Sequence, residues 1–190
     1  MCPSNRGCIV KFIGFPDIKK TDLKYQNLEP LAIPELDKAK TLFNAIRAKD
    51  FLISHPYQPF SYIIRLLREA AIDPNVVSIK ITLYRVAENS NVVNALINAV
   101  KNGKKVIVMM ELKARFDEEH NIYWSNKLRE EGATVLFTIP SYKVHTKICL
   151  ISRKEKTGLK NYAHLGTGNY NGETAKFYCD HSVLTSNKRI

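Results

Sequence analysis

Two apolar rhythms alternate between Asn75 and Pro140. "NVVSIKITLYR" (75–85) is a run rich in β-branched residues and reads as a strand. "NSNVVNALINAVKNG" (89–103) reads as a helix, with an Asn/Ser start and Gly103 at its stop. "KKVIVMMELKAR" (104–115) is a buried strand; "DEEHNIYWSNKLREEG" (117–132) is a helix with acids in its first turn and Gly132 as C-cap; "ATVLFTIP" (133–140) is again a strand. A βαβαβ order implies a parallel sheet with right-handed crossovers. Upstream, Phe60, Ile63, Ile64, Leu67 and Ala71 recur at helical spacing until Asp73-Pro74 ends the helix. Downstream the rhythm becomes strand on strand: Lys143 to Ser152, a Thr157-Gly158 turn, then Lys160 to Leu165. "GFPDIKKTDLKYQNLEPLAIPELDKAK" (14–40) carries three prolines and little periodicity. Residues 1–50 therefore read as an extended linker or the remnant of a preceding domain, and the folded unit begins at Phe51.

A chain of 190 residues, 45% apolar and 25% charged, can bury one full core, or one domain plus part of another. The apolar patch from Cys8 to Phe15 is short and broken by Lys11, so it is no secretory signal, and no apolar run approaches the ~20 residues of a membrane span. A soluble, intracellular protein is expected. The four cysteines show no paired spacing and no histidine at zinc-ligand distance, so neither a metal knot nor a disulfide framework is indicated. Net charge is +11, and residues 141–190 carry nine basic against three acidic side chains. That points to an anionic partner, with nucleic acid, an acidic membrane surface, a phosphate-rich small molecule or a merely solvated basic face all open.

The basic end also carries the candidate chemistry. In "SYKVHTKICLISRK" (141–154), His145 and Lys147 stand two apart and would share one face of a strand, with Val144, Thr146, Ile148 and Leu150 on the other. Alone, the pair reads as the polar side of a half-buried strand. Arg85 closes the first strand of the alternating region and Arg115 the second, thirty residues on; His145 lies thirty further. Ligands of parallel α/β sheets gather at strand carboxyl ends, where arginine makes charge-assisted contacts with phosphate. Pairing of either arginine with a local acid, Glu111 or Asp117, is the alternative. In "HLGTGNYNGETAKFYCD" (164–180), Gly166 and Gly168 would let backbone N–H groups approach an anion and Asn169 could donate to it, although a glycine pair alone commonly just makes a turn.

"HTKICLI" followed by "HLGTGNYN" resembles the H-x-K plus G-x-x-N pattern of the phospholipase D superfamily. "SIKITLYR", "ELKARFDEE", "KVHTKICLI", "HLGTGNYN" and "AKFYCD", in this order, resemble the first C-terminal catalytic domain of bacterial polyphosphate kinases of the histidine-phosphorylating type, from about Leu28 to Thr185. The resemblance implies an α/β, phospholipase-D-like domain over 51–187, with a mixed, largely parallel sheet flanked by helices, preceded by the extended linker; motifs of a second C-terminal catalytic domain are absent. It implies reversible transfer of the ATP terminal phosphate to polyphosphate through a phosphohistidine, with Mg2+ as cofactor. By motif, His145 is the phosphorylated nucleophile, Asp180 orients it, and Lys147 meets phosphate charge. Arg85 and Arg115 belong to the magnesium-phosphate site, Tyr178 to the nucleotide, and Gly166, Gly168 and Asn169 to phosphate. ATP/ADP and polyphosphate are the implied partners, with a homo-oligomer in the full-length family, no nucleic acid and no integral membrane segment. The implied location is cytoplasmic, with peripheral attachment to the inner membrane left open.

Two departures qualify the resemblance. The phospholipase motif has an aspartate five positions past the lysine, where this chain has Ser152, which argues against lipid or nucleic-acid hydrolysis. The family's enzymes are also much longer, so an incomplete and inactive piece is one expectation. Two alternatives stay open: a phospholipase-D-like phosphodiesterase completed by a partner's second half, and a non-catalytic basic module that binds polyanions. His55, His120, His164 and His181 read as structural or surface residues, and Trp124 as a core or interdomain contact.

Overall fold

The computed structural model describes residues 29–111, 118–138 and 143–189. Two short helices, α1 (Pro34–Lys38) and α2 (Leu42–Ala48), precede strand β1 (Phe51–His55) and helix α3 (Ser61–Ile72). The alternating region follows as β2 (Val76–Leu83), α4 (Asn91–Lys101), β3 (Lys105–Met110), α5 (Glu118–Glu130) and β4 (Thr134–Phe137). Strands β5 (Lys147–Glu155), β6 (Gly158–Gly166) and β7 (Asp180–Thr185) complete a seven-stranded sheet in the order β1-β7-β6-β5-β2-β3-β4.

The sheet is mixed, as expected, but parallel pairing is confined to β2–β3 and β3–β4. The pairings β1–β7, β7–β6, β6–β5 and β5–β2 are antiparallel, so "largely parallel" is corrected. The reason is connectivity: a crossover helix returns the chain in the same direction, whereas the tight turn between β5 and β6 reverses it. The helices of the alternating region begin and end where their sequence says. Ser90 Oγ accepts the Val93 N–H (3.2 Å) at the start of α4. Gly103 and Gly132 follow α4 and α5 at φ 75° and 98°, a left-handed conformation that side-chain-bearing residues rarely adopt.

One sheet face forms the core. Ile53, Leu184, Ile151, Ile79 and Val108 are fully buried there, under Phe43 of α2, Ile63, Leu66 and Leu67 of α3, and Val93 and Leu96 of α4. On the other face the partnered residues Leu52, Val183, Leu165 and Ile148, and Thr82, Met109 and Leu136, form a row across the seven strands. Its aliphatic members at both ends and centre stay exposed, from 36% at Met109 to 64% at Leu52.

Residues 34–48 correct the extended-linker expectation, whose first 28 residues lie outside the described residues. Pro34 occupies the first turn of α1, where its missing N–H costs nothing. Thr41 caps α2 by accepting the Asn44 N–H at 3.2 Å, and Leu36, Leu42, Phe43 and Ile46 are buried. Short helices with few periodic positions give a weak pattern; burial of their apolar side decides them. β1 and β7 also escaped sequence reading, because each is short and carries polar residues toward the site.

The end of the sheet remote from His145 is tied by ion pairs. Arg153 Nε meets Asp73 Oδ2 at 2.8 Å and its NH1 meets Glu155 Oε1 at 2.6 Å; Tyr162 donates its hydroxyl to Glu155 at 2.7 Å. Burial pushes both carboxyls up, but the hydrogen bonds, from Arg153 at Asp73 and from Tyr162 and Arg153 at Glu155, outweigh it and hold them below their ordinary 3.8 and 4.5. Depressed carboxyl pKa values contribute stability that is present above about pH 4.5 and lost as pH falls through the folded values. Urea titrations from pH 7 to pH 3 should therefore show Arg153→Leu less stable by about 2 kcal/mol at pH 7 and flatter on the acid limb. An unchanged acid limb would remove the network from the stability of the fold.

Candidate active site at the carboxyl rim of β2 and β3

β5 runs antiparallel to β2, which brings its first residue, Lys147, to the carboxyl end of β2. Lys147 in turn pairs with Gly166, the last residue of β6, and Gly166 pairs with Ser182 of β7. The ends of four neighbouring strands thus deliver Tyr84 and Arg85, His145 and Lys147, Gly166 to Asn169, and Asp180 to one rim. Arg115 lies outside the described residues.

His145 does not sit on the strand. Residues 143–146 precede β5, and the imidazole is exposed. Thr82 fixes the entry to the strand: its hydroxyl donates to the Thr146 carbonyl (2.6 Å) and accepts the Ile148 N–H (3.0 Å). Glu111, buried at the end of β3, accepts the Val144 N–H at 3.3 Å. The expected face-sharing is also revised. Lys147 is 4% exposed and shares the core side with Cys149 and Ile151, whereas Ile148 is 38% exposed. The aliphatic side of this strand is the more open one.

Lys147 bends back to His145. Its Nζ donates to the His145 carbonyl oxygen at 2.6 Å and stands 3.3 Å from each ring nitrogen, so the ammonium lies over the imidazole edge. Burial pushes the Lys147 pKa down, the Asp180 carboxylate partly restores it, and the Arg85 guanidinium lowers it further.

Asp180 Oδ1 accepts the Thr167 hydroxyl at 2.7 Å, and Thr167 Oγ1 accepts the His181 N–H at 3.0 Å. No hydrogen bond joins Asp180 to His145. Both glycines are closely packed: a Cβ on Gly168 would stand 2.5 Å from Asp180 Oδ2 and 2.8 Å from its Cβ, and one on Gly166 would stand 3.0 Å from the His164 ring. Gly168→Ala is expected to push Asp180 off the rim and cost about 1–3 kcal/mol in urea unfolding; an unchanged midpoint would show that the aspartate simply turns aside. Asn169 Oδ1 is buried without a partner. Tyr178 and Phe177 are about half exposed, their rings 5.4 Å apart.

Two histidines behind the rim, His55 and His164, read from sequence as structural or surface residues, are buried, and His164 Nε2 has no hydrogen-bond partner. His164 is buried, bonded through Nδ1 to the Tyr170 hydroxyl at 2.6 Å, and burial pushes its pKa down to about 3. His55 Nδ1 must donate to the Gln58 carbonyl at 3.0 Å, so in the neutral ring Nε2 accepts from Ser182 Oγ at 3.1 Å. Ser152, where a phospholipase would carry aspartate, donates to Asn161 Oδ1 at 2.8 Å, roughly 16 Å along the strand from Lys147.

Asn121 had no sequence signal. This fully buried α5 side chain donates to the carbonyls of Tyr84 (2.8 Å) and Glu111 (2.7 Å) and accepts the Val86 N–H (3.3 Å), clamping the ends of β2 and β3 together. Trp124, one turn on, donates to the Ala87 carbonyl at 3.0 Å.

The family model for polyphosphate kinase C-terminal domain 1 matches residues 41–190. The chain belongs to this family. Among curated polyphosphate kinases, those of Vibrio vulnificus (strain YJ016) and Escherichia coli (strain K12) are each 48% identical to it, over 179 and 181 residues. In both cases the match covers 94% of this chain and 26% of the relative, so the chain spans about a quarter of their length. The crystal structure of polyphosphate kinase from Porphyromonas gingivalis superposes with a TM-score of 0.78 at 43% identity, over 92% of this chain and 29% of that one. Nuc, a phospholipase D family member from Salmonella typhimurium, gives 0.55 at 16% identity over 73% and 83% of the two chains, a likeness of fold alone. This polyphosphate kinase C-terminal domain thus shares its fold with a phospholipase D family member. No described helix is long and apolar enough to cross a membrane.

Proposed function

We propose that this domain carries the phosphoryl-accepting histidine of an ATP:polyphosphate phosphotransferase. The observation that carries the reading is His145, exposed at the rim with the Lys147 ammonium 3.3 Å from both ring nitrogens. One imidazole nitrogen attacks the γ-phosphorus of ATP; the P–N bond forms as the bond to the β–γ bridging oxygen breaks, and ADP leaves with that electron pair. A terminal oxygen of polyphosphate then attacks the same phosphorus, the P–N bond breaks, and the chain is one phosphate longer. Phosphoryl transfer asks mainly for alignment and charge neutralisation. Lys147 and Arg85 supply positive charge to the transferring group, and Arg115 joins them by the resemblance.

Asp180 is assigned to orienting His145 by the family resemblance; its own hydrogen bond goes to Thr167. Tyr178, with Phe177 beside it, offers an exposed aromatic face for the nucleotide base. Asn169 and the Gly166–Gly168 turn are assigned to phosphate oxygens. Among the described residues no cluster of three His, Cys, Asp or Glu side chains could hold a metal ion. No step here runs through a magnesium ion. An arginine has no lone pair for Mg2+, so Arg85 and Arg115 would meet phosphate oxygens. ATP/ADP and polyphosphate as substrates, a homo-oligomer and a cytoplasmic or peripheral inner-membrane location belong to this same proposal.

Incubation with γ-labelled ATP and magnesium tests it. Acid-labile, base-stable label on the protein is expected; label on a hydroxyl side chain, stable to acid, would overturn the reading.

A further inference from the structure

Tyr84 follows the last residue of β2, and no motif assigned it a role. Its ring centroid lies 5.4 Å from that of His145, with the planes at 72°, an edge-to-face contact. The Lys147 ammonium is 5.6 Å from the same centroid and the Arg85 guanidinium 5.9 Å. One aromatic ring therefore touches the imidazole and two of the cations assigned to phosphate. Its backbone is firmly held, because Asn121 binds the Tyr84 carbonyl and, two residues on, the Val86 N–H.

His145 is the opposite case. It precedes the strand and its ring is exposed, so rotation about its side-chain bonds is limited by its neighbours alone. A nitrogen nucleophile needs its lone pair aligned with the phosphorus–oxygen bond that breaks, and misalignment by about an ångström costs on the order of a hundredfold. Lys147 can hold the ring by charge, but an approaching phosphate competes for that ammonium. An aromatic edge contact is not titrated away by phosphate, and it contributes beyond the area it buries.

We infer that Tyr84 is a positioning residue: it fixes the plane of the His145 ring and holds the Lys147 ammonium beside it, through its aromatic face rather than its hydroxyl. It acts through His145 and Lys147. The kinetic part rests on the reading of His145 as the phosphoryl acceptor; the geometric part does not.

The test separates the two. In isotope-labelled chain, nuclear Overhauser contacts between the Tyr84 and His145 ring protons are expected, with a ring-current shift of the His145 signals that disappears in Tyr84→Leu and persists in Tyr84→Phe. Absence of these contacts in the folded wild-type chain overturns the inference, whatever the chain does with ATP. For phosphohistidine formation, Tyr84→Leu should lower the saturated rate about tenfold with the ATP concentration at half-saturation little changed, and Tyr84→Phe should restore it. Equal loss in Phe and Leu variants, or a wild-type rate in Leu, overturns the positioning role. Ring contacts seen together with label on a residue other than His145 would leave Tyr84 packed as described and would refute the phosphotransfer reading instead.

Discussion

His145→Ala is expected to abolish phosphoryl capture from ATP, with no residual label above that of heat-denatured protein, and to leave the fold intact. The exposed imidazole precedes β5 and contributes nothing to the core, so its removal touches neither the sheet register nor the buried cluster. The contacts that pin this segment use the backbone: Val144 N–H to Glu111, Thr146 carbonyl to Thr82, His145 carbonyl to Lys147. An unfolding midpoint matching wild type, with label gone, is the paired result. Loss of label together with loss of the fold would show that the ring does structural work this geometry does not reveal.

The second large effect is expected at Lys147. Lys147→Met keeps an unbranched stem of similar length and removes the ammonium that the proposed reaction sets against the transferring phosphate. Removal of one positioned charge donor costs about 10²–10³ in rate, and a loss of that order is expected here. Stability should move the other way. Burial depresses the folded pKa of Lys147 below its ordinary 10.5, so below that depressed value the fold bears the full cost of the buried charge. The cost is relieved as pH rises through the folded pKa toward 10.5, where the unfolded chain also loses its proton. Near pH 7 the methionine variant should unfold no earlier than wild type, and the gap should close above about pH 10. Urea titrations at several pH values together with initial labelling rates check both halves. A variant that is both active and destabilised would reverse the assignment, making Lys147 a structural residue.

The parts legible in the sequence were those set by local patterning. The strand–helix alternation from Asn75 to Phe137 could be read because β-branched runs and capped helices follow different periods. The family motifs named His145, Lys147, Gly168 and Asp180, and the sheet order brings these to one rim. Long-range burial was not legible. Nothing in "VHTKICL" says that Lys147 faces the core and Ile148 the open side, because that depends on which sheet face the helices cover. The glycine turn at Gly168 was legible, but the Asp180 side chain that fills its missing Cβ comes from twelve residues on and was not. Asn121 is one polar residue in a charged helix segment, and only the meeting of β2, β3 and α5 shows that it ties three backbone groups.

The central claim is that His145 carries a phosphoryl group in transit. The most direct measurement isolates the chain after incubation with γ-labelled ATP and magnesium, locates the label by mass spectrometry under neutral conditions, and then chases it with ADP or with polyphosphate. The account predicts a phosphoramidate on His145 that returns to ATP with ADP and passes to polyphosphate in the second chase. Label that resides elsewhere, label on His145 that neither acceptor discharges, or no label on folded chain even with the remaining polyphosphate kinase polypeptide supplied in trans, would contradict it.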